Sequence, residues 1–222
     1  MTGPASGDKI NCLLLGGGGH GKVVLEAMLA APGVERVGIL DARAGARGQT
    51  IMGVPILGDD GYLERARLEG FSHFICGVGA AGDNPRRIEV FHRGVAAELQ
   101  PLAVCHPAAV VSAHAAIGAG AVVMAAAVLN PGAAVGANAI INTAAVIEHD
   151  CVIGEHAHVA PRSCLLGGVK VGAGAVIGAG AVVRQGINIG EGAVVAAGAV
   201  VVRNVAAGGK VAGMPAKAMR QG

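Results

Sequence analysis

A six-residue repeat runs through the second half of the chain and constrains its fold more than any other feature. From Val111 to Val201, every sixth residue is Val, Ile or Leu, which gives sixteen positions in succession. Four residues after each of these stands a small residue, with Val169, Ile187 and Val205 as the exceptions. A period of six matches neither an α-helix nor one long strand, so each unit must be a short strand followed by a turn.

Three units of six residues close one triangular coil of eighteen residues. The repeat therefore predicts a left-handed parallel β-helix, in which each inward aliphatic side chain stacks on the residue eighteen positions later. The small residue lets the backbone bend at a corner, and glycine supplies the unusual turn dihedrals.

A glycine-rich segment near the start of the chain lies between a predicted strand and a predicted helix. The strand is Ile10–Leu15, the glycine loop is 16–21 and the helix is 22–30; a second strand ends at Asp41. This order predicts a Rossmann-like α/β domain in which a phosphate approaches the loop N–H groups and Asp41 binds a ribose hydroxyl. Further along, we expect a helix over 59–69, a strand over 72–79, and a helix that Asn84 caps and that continues to about Leu99.

The glycine segment allows more than one ligand. Its GxGxxG spacing with a distal acid is typical of dinucleotide enzymes, yet only about 100 residues precede the repeat. A nucleotide sugar fits that length better than a full dinucleotide. A Walker loop is excluded because Val23 stands where Ser or Thr must hold Mg²⁺. A glycine turn that only packs the helix on the strand stays open. We place the domains at 1–106, which binds the nucleotide sugar, and 107–222, the β-helix.

Composition narrows the class of protein. Hydrophobic residues make up 53% of the 222 residues and charged residues 14%, an excess that the interior of the repeat explains. No apolar run reaches the length of a membrane span, and no signal-peptide pattern is present, so we expect a cytoplasmic protein without membrane insertion. The five cysteines are scattered, which fits neither a disulfide framework nor a CxxC metal site. A net charge of +2 gives no support to a nucleic-acid partner.

A polar cluster interrupts the Gly and Ala residues of the repeat around His149. This histidine is third in its hexad and should point outward, with Glu148 and Asp150 on either side to orient the ring. Eighteen residues later stands Gly167, which leaves a gap beside the imidazole. The pattern favours a general base. Two alternatives are a metal site built from His149, His156 and His158, and plain surface histidines.

Three segments resemble one family. Residues 142–154, which contain Glu-His-Asp, together with 16–22 and 213–217, are similar to the hexapeptide-repeat acetyltransferases of the sialic acid O-acetyltransferase type. That group includes N-acetyltransferases that act on nucleotide-linked 4-amino sugars such as bacillosamine and perosamine precursors. The resemblance covers nearly the whole chain.

This resemblance implies an acetyl-CoA-dependent enzyme of glycan biosynthesis that works as a homotrimer and needs no metal. The family's catalytic residues fall on His149 and Asp150. Its acetyl-CoA contacts fall on His158, Gly167, Ala179 and Ala197. Its nucleotide-sugar contacts fall on Gly18, Gly19, His20, Asp41, Gly79 and Asn142. The chain departs from some relatives at Ala42, where they have a second acid.

These observations together predict an N-acetyltransferase for the amino group of a nucleotide-linked amino-deoxy sugar. An O-acetyltransferase of sialic acid or another sugar is the alternative, and a non-enzymatic scaffold or nucleotide-sensing module is a third. His149 and Gly167 share one place in the eighteen-residue coil, whereas Ala179 and Ala197 share another. They can meet in one cleft only if a neighbouring subunit supplies one set, which predicts three active sites at the interfaces of a trimer.

Overall fold

The computed structural model describes residues 10–80 and 84–219. The amino-terminal part is a six-stranded sheet of order β3-β4-β2-β1-β5-β6, parallel except for β3 against β4. Its strands are β1 (Ile10–Leu15), β2 (Val34–Leu40), β3 (Thr50–Ile51), β4 (Val54–Gly58), β5 (His73–Cys76) and β6 (Gln100–Pro101). Strand β1 lies between β2 and β5, so the strands that follow it in the chain are added first on one side of β1 and then on the other. Ligands bind at such a switch point in open α/β sheets.

Three helices accompany this sheet: α1 (Gly19–Ala30), α2 (Leu63–Ala66) and α3 (Pro85–Ala96). The prediction of a helix over 59–69 is wrong in its length, because α2 is one turn preceded by a 3₁₀ turn, Asp60–Tyr62. The Asp59 carboxylate caps the 3₁₀ turn by accepting a hydrogen bond from Gly61 N–H (3.0 Å), and the glycine in this first turn disfavours a regular α-helix. Helix α3 ends before the predicted Leu99 because Glu98 has a left-handed φ of 57°.

The carboxyl-terminal part is the β-helix, built almost entirely from two-residue strands spaced six residues apart. They are β7 (Val104–Cys105), β8 (Val110–Val111), β9 (Ala116–Ile117), β10 (Val122–Val123), β11 (Val128–Leu129), β12 (Ala134–Val135), β13 (Ile140–Ile141), β14 (Val146–Ile147), β15 (Val152–Ile153), β16 (His158–Val159), β17 (Cys164–Leu165), β18 (Lys170–Val171), β19 (Val176–Ile177), β20 (Val182–Val183), β21 (Asn188–Ile189), β22 (Val194–Val195), β23 (Val200–Val201), β24 (Lys210–Ala212) and β25 (Lys217–Ala218).

These strands form three faces of a left-handed parallel β-helix, as the repeat predicts. Every third strand joins one sheet: face 1 runs from β7 through β22 to β24 and β25, face 2 from β8 to β23, and face 3 from β9 to β21. The pairing confirms the eighteen-residue coil, since Val122 lies beside Ile140 and Ile141 beside Val159. Of the sixteen predicted inward positions, only Val111 and Ile117 in the first coil are partly exposed.

Two details differ from the predicted repeat. Val205 does not occupy a corner but pairs with Ile189, sixteen residues earlier, so the last coil is two residues short. The fourth place of the hexad has a left-handed backbone, but glycine does not always supply it. In the middle coils the non-glycine residues there are Ala126, Asn138, Ala144, Asp150, His156 and Arg162. Asn and Asp tolerate this conformation better than most residues.

The two parts pack through the outer side of face 1. Val122 and Ile140 point away from the β-helix interior, yet both are buried in one cluster with Val24 and Met28 of α1. Because β7 already belongs to face 1, the first coil begins at Val104; the domain boundary at 106/107 stays a prediction. None of the helices in residues 10–80 and 84–219 is long and apolar enough to cross a membrane.

Candidate active site

A cavity of about 840 Å³ opens where β1, β2 and β5 end. It is lined by the glycine loop, by residues 40–43, by residues 77–79 and by the start of α3. A Cβ at Gly18 or Gly19 would meet no atom within 4 Å, so these two glycines face open space. In the described part of the chain, the N-cap residues of α1 and α3 make no side-chain hydrogen bond to the helix. The N–H groups of the first turn of α1 can therefore bind an anion in the cavity.

Other glycines of this region have a packing role. A Cβ at Gly21 would lie 2.1 Å from the carbonyl oxygen of Gly16, and one at Gly77 would lie 2.2 Å from the same atom. The glycine turn that only packs the helix on the strand therefore describes Gly21, whereas Gly18 and Gly19 are left over for a ligand.

Asp41 ends the second strand, as predicted, but its carboxylate already has partners. It accepts hydrogen bonds from Gly17 N–H (3.1 Å) and from Arg43 Nε and Nη2 (2.9 Å each). The bond from Arg43, ahead of the other contributions, lowers the pKa of this carboxyl. Asp41 thus fixes the glycine loop to the end of β2, and the predicted ribose contact requires Arg43 to move.

His20 and Gly79 face each other across the cavity floor. A Cβ at Gly79 would lie 3.1 Å from His20 Cβ, a tight contact that would push the imidazole by a few tenths of an ångström. Burial, followed by the charges of Arg87 and His158, lowers the pKa of His20 to about 3. The ring is therefore neutral near pH 7 and cannot hold a phosphate by charge, which leaves that task to backbone N–H groups.

His149 lies at the corner that follows β14 on face 2, with 56% of its side chain exposed. Its Nδ1 is 2.9 Å from Asp150 Oδ2, and the N–H at this position donates to the carboxylate. Nε2 is then the basic nitrogen, and a Cβ at Gly167 would lie 2.4 Å from it. The predicted gap at Gly167 is thus occupied by the imidazole. Of the two flanking acids, Asp150 and not Glu148 makes the hydrogen bond.

The carboxylate of Asp150 needs a gap of its own. Eighteen residues earlier, a Cβ at Gly132 would lie 2.5 Å from Asp150 Oδ1. Gly132 in the preceding coil therefore leaves room for the acid, and Gly167 in the following coil leaves room for the base. The sequence predicted only the second of these spaces.

His158 and Asn142 are adjacent and lie where face 1 meets the amino-terminal domain. Asn142 Nδ2 donates to His158 Nε2 (3.1 Å), while His158 Nδ1–H donates to the carbonyl of Ala80 (2.9 Å). Burial lowers the pKa of this histidine. Both ring nitrogens are used, so the predicted acetyl-CoA contact of His158 requires an exchange of partners and stays a prediction.

Gly167, Ala179 and Ala197 share the third place of their hexads. Within the described residues, the N–H groups of these three make no backbone hydrogen bond. Ala179 and Ala197 are exposed and lie one above the other at the corner that follows face 1. Such N–H groups can bind the amide carbonyls of an extended ligand.

The structure does not bring all predicted residues into one site. His149 and Gly167 lie at the corner after face 2, and neither lines the cavity of the glycine loop. The alternative metal site is not formed, because His156 Nδ1 accepts from Asn138 Nδ2 (3.0 Å) and His158 is held as described above. Among the described residues, no group of three or more His, Cys, Asp or Glu is arranged to hold a metal ion.

A polar seam that the sequence did not predict joins the two domains through Asn84 and Arg87. Asn84, predicted to cap α3, instead donates from Nδ2 to the carbonyl of His156 (2.7 Å). Arg87, one turn further along α3, is 1% exposed and donates from Nε to the carbonyl of Asn138 (3.1 Å). The sequence carried one sign of this contact. Asn138 and His156 are polar residues eighteen positions apart, so they lie one above the other on the same column of the β-helix.

Comparisons with known proteins agree with this geometry. Residues 11–93 match the PglD N-terminal domain, residues 150–185 the bacterial transferase hexapeptide repeats, and residues 168–203 the hexapeptide repeat of succinyl-transferase. A comparison with curated proteins gave no match. Perosamine N-acetyltransferase from Caulobacter crescentus, solved with CoA and GDP-perosamine, is 38% identical over 95% of this chain and 97% of its own, with a TM-score of 0.88.

This chain belongs to the hexapeptide-repeat sugar acetyltransferases with a PglD N-terminal domain. The acetyltransferase domain of PglB from Neisseria gonorrhoeae, solved with acetyl coenzyme A, is 35% identical over 96% of this chain and 100% of its own, with a TM-score of 0.88. WeeI from Acinetobacter baumannii is 26% identical over 95% and 100%, with a TM-score of 0.79. The resemblance stated from the sequence is confirmed.

Proposed function

We propose that this protein is an acetyl-CoA-dependent N-acetyltransferase that acts on the amino group of a nucleotide-linked amino-deoxy sugar. One observation carries the proposal. His149 is hydrogen-bonded to Asp150 in a gap left by Gly167, in a chain that is 38% identical to an enzyme solved with CoA and GDP-perosamine. Two structures of that relative have a single histidine replaced, by asparagine in one and by alanine in the other.

His149 acts as the general base in the proposed reaction. The sugar amine attacks the thioester carbonyl carbon while His149 Nε2 takes one amine proton, and the Nδ1–H bond to Asp150 stabilises the imidazolium that forms. A carbon–nitrogen bond forms, the carbon–sulfur bond then breaks, and the proton on His149 passes to the CoA thiolate. The products are an amide and free CoA.

The N–H of Gly167 supports the developing oxyanion. It is adjacent to His149 and free of backbone partners among the described residues. A fixed N–H donor of this kind stabilises the tetrahedral intermediate more than the ground-state thioester.

The cavity at the glycine loop holds the nucleotide sugar in this proposal. Free N–H groups of α1 beside Gly18 and Gly19 would bind the diphosphate, and the volume of about 840 Å³ is within the usual range for small-molecule sites. The neutral His20 and Gly79 would form the wall beneath it.

A homotrimer completes the proposed site. His149 lies after face 2, while Ala179 and Ala197 follow face 1, so one protomer offers the base and the acetyl-CoA surface at different corners. A threefold arrangement would place the His149 corner of one protomer against the Ala179 and Ala197 corner of its neighbour. Sedimentation at the assay concentration tests this, and a catalytically active monomer contradicts it.

Release of free CoA thiol tests the reaction class. With acetyl-CoA and a nucleotide-linked 4-amino sugar we expect steady thiol release, and with the matched 4-hydroxy sugar nucleotide or with sialic acid we expect none. Turnover of sialic acid alone would place the protein with the O-acetyltransferases. Absence of turnover with every acceptor would favour a scaffold or sensing module.

A further inference from the structure

One face of α3 lies along a single column of the β-helix. The column consists of residues eighteen apart at the fourth place of the hexad: Gly120, Asn138, His156 and Gly174. Facing it are α3 residues that share one side of a helix, Asn84, Arg87 and Phe91. The contacts run in order along both elements and in opposite directions.

Each step along α3 meets the next coil. A Cβ at Gly120 would lie 2.7 Å from Phe91 Cε2; Arg87 Nε donates to the carbonyl of Asn138; Asn84 Nδ2 donates to that of His156. A helical turn rises about 5.4 Å and neighbouring strands are about 4.8 Å apart, so the two spacings nearly match over this length. The match fixes the height of α3 on the β-helix.

Arg87 is the centre of this contact. Its Nη1 donates to the carbonyls of Cys76 (2.9 Å), the last residue of β5, and of Val78 (2.6 Å), two residues later. Its Nε donates to the carbonyl of Asn138 on the β-helix. Val78 lines the cavity of the glycine loop. One guanidinium therefore ties the cavity wall and the β-helix coil together.

Arg87 is not the residue expected at this buried position if its role were only to stabilise the fold. It is fully buried, no carboxylate among the described residues pairs with it, and burial lowers its pKa. A buried cation without a counter-ion destabilises a fold relative to an apolar residue of similar volume. What lysine or an apolar residue cannot supply is the planar fork that reaches carbonyls on two domains at once.

We propose that Arg87 is a positioning residue of acetyl transfer, because its guanidinium fixes the wall of the nucleotide-sugar cavity on the β-helix and so sets where the sugar amine lies. The inference rests on the proposed function. The sugar is bound by one domain and acetylated on the other, so its amine reaches the thioester only if the two domains keep their relative position. A misplacement of 1 Å costs about 10²-fold in rate.

The test compares Arg87→Met and Arg87→Lys with wild type and with Arg67→Met, a matched change at an exposed arginine on the surface. Thermal unfolding first sets a temperature at which each variant is folded. For Arg87→Met we expect kcat to fall about 10–100-fold while the Kd of CoA and of the nucleoside diphosphate, from calorimetry, change less than about threefold. Arg87→Lys keeps the charge but not the fork and should recover only a small part of the rate. Arg67→Met should behave as wild type.

Asn84→Ala is the test if the Arg87 variants do not fold, because it removes the neighbouring contacts to the carbonyls of His156 and Gly174 and leaves Arg87 in place. We expect a smaller loss of kcat, about 3–10-fold, again without weaker binding of CoA. Unchanged kcat in folded Arg87→Met, or in Asn84→Ala if that variant alone folds, overturns the inference. Full rescue by Arg87→Lys would also overturn it, because the charge would then suffice without the guanidinium fork. A wild-type protein without acetyl transfer would instead overturn the proposed function.

Discussion

Replacing Gly167 by alanine should lower activity while leaving the fold intact. The new Cβ would lie 2.4 Å from His149 Nε2 and 2.5 Å from Cε1, against an ordinary contact of 3.4–4 Å. The imidazole must therefore move by about 1 Å, which costs a catalytic group about 10²-fold in rate. We expect kcat to fall about 10–100-fold.

The unfolding free energy of Gly167→Ala should equal that of wild type or be slightly higher, although its kcat falls. Gly167 does not have a positive φ, and Ala173, Ala179 and Ala197 occupy the same place in other hexads. A glycine-to-alanine change at a compatible position stabilises a protein by about 0.4–1 kcal/mol. Thermal unfolding should therefore show an equal or slightly higher Tm for Gly167→Ala.

Two controls separate displacement of the base from other effects. Ala173→Gly makes the reverse exchange at the same place of a hexad without a histidine neighbour and should leave kcat unchanged. In a His149→Ala background, Gly167→Ala should cost nothing further, since there is no ring to displace. Near-normal kcat in Gly167→Ala, or an equal loss in both backgrounds, would refute this account of the gap.

Three further predictions follow from the same geometry. His149→Ala should keep the fold and lower kcat by about 10²–10⁴-fold, the usual effect of removing a positioned general base; turnover near wild type would assign the proton to another group. The unfolding free energy should fall as pH drops below 6.5, because burial lowers the pKa values of His20, His156 and His158, so the unfolded chain binds more protons. Each of these histidines lowers the unfolding free energy by at most about 1.4 kcal/mol per pH unit, and for His20 this loss continues down to about pH 3. Equal stability in urea titrations at pH 7 and pH 5 would contradict the buried neutral state. Finally, calorimetry should show saturable binding of nucleotide sugars and none of NAD, since the cavity is formed by a single mononucleotide-sized half; micromolar binding of NAD alone would reverse that assignment.

The β-helix could be predicted from sequence because its repeat is local. An inward aliphatic at every sixth residue and a corner after each strand require no knowledge of distant contacts, and Gly167 pointed to the space for His149 by its spacing alone. The shortening of the last coil could not be predicted, because an aliphatic residue at 205 fits both the regular spacing of eighteen and the observed spacing of sixteen. Only its pairing with Ile189 shows which place it holds.

The seam between the domains could not be predicted in the same way. Asn84 before Pro85 has the pattern of a helix cap, and nothing local distinguishes a cap from a side chain that reaches another domain. Arg87 lies one turn further along the same helix, and nothing in the neighbouring sequence distinguishes a buried arginine there from an exposed one. His158 follows Val122 and Ile140 at a spacing of eighteen, and both of these are covered by α1. That column of apolar residues was the available sign that His158 lies at an interface.

Identification of the acetylated atom tests the central claim most directly. The protein is incubated with isotopically labelled acetyl-CoA and a panel of GDP-, UDP- and dTDP-linked amino sugars, and the product is examined by NMR and by treatment with hydroxylamine. We predict a single labelled acetyl group on the sugar nitrogen, present as an amide that hydroxylamine does not release. Label on a sugar oxygen, released by hydroxylamine or dilute base, would contradict N-acetylation.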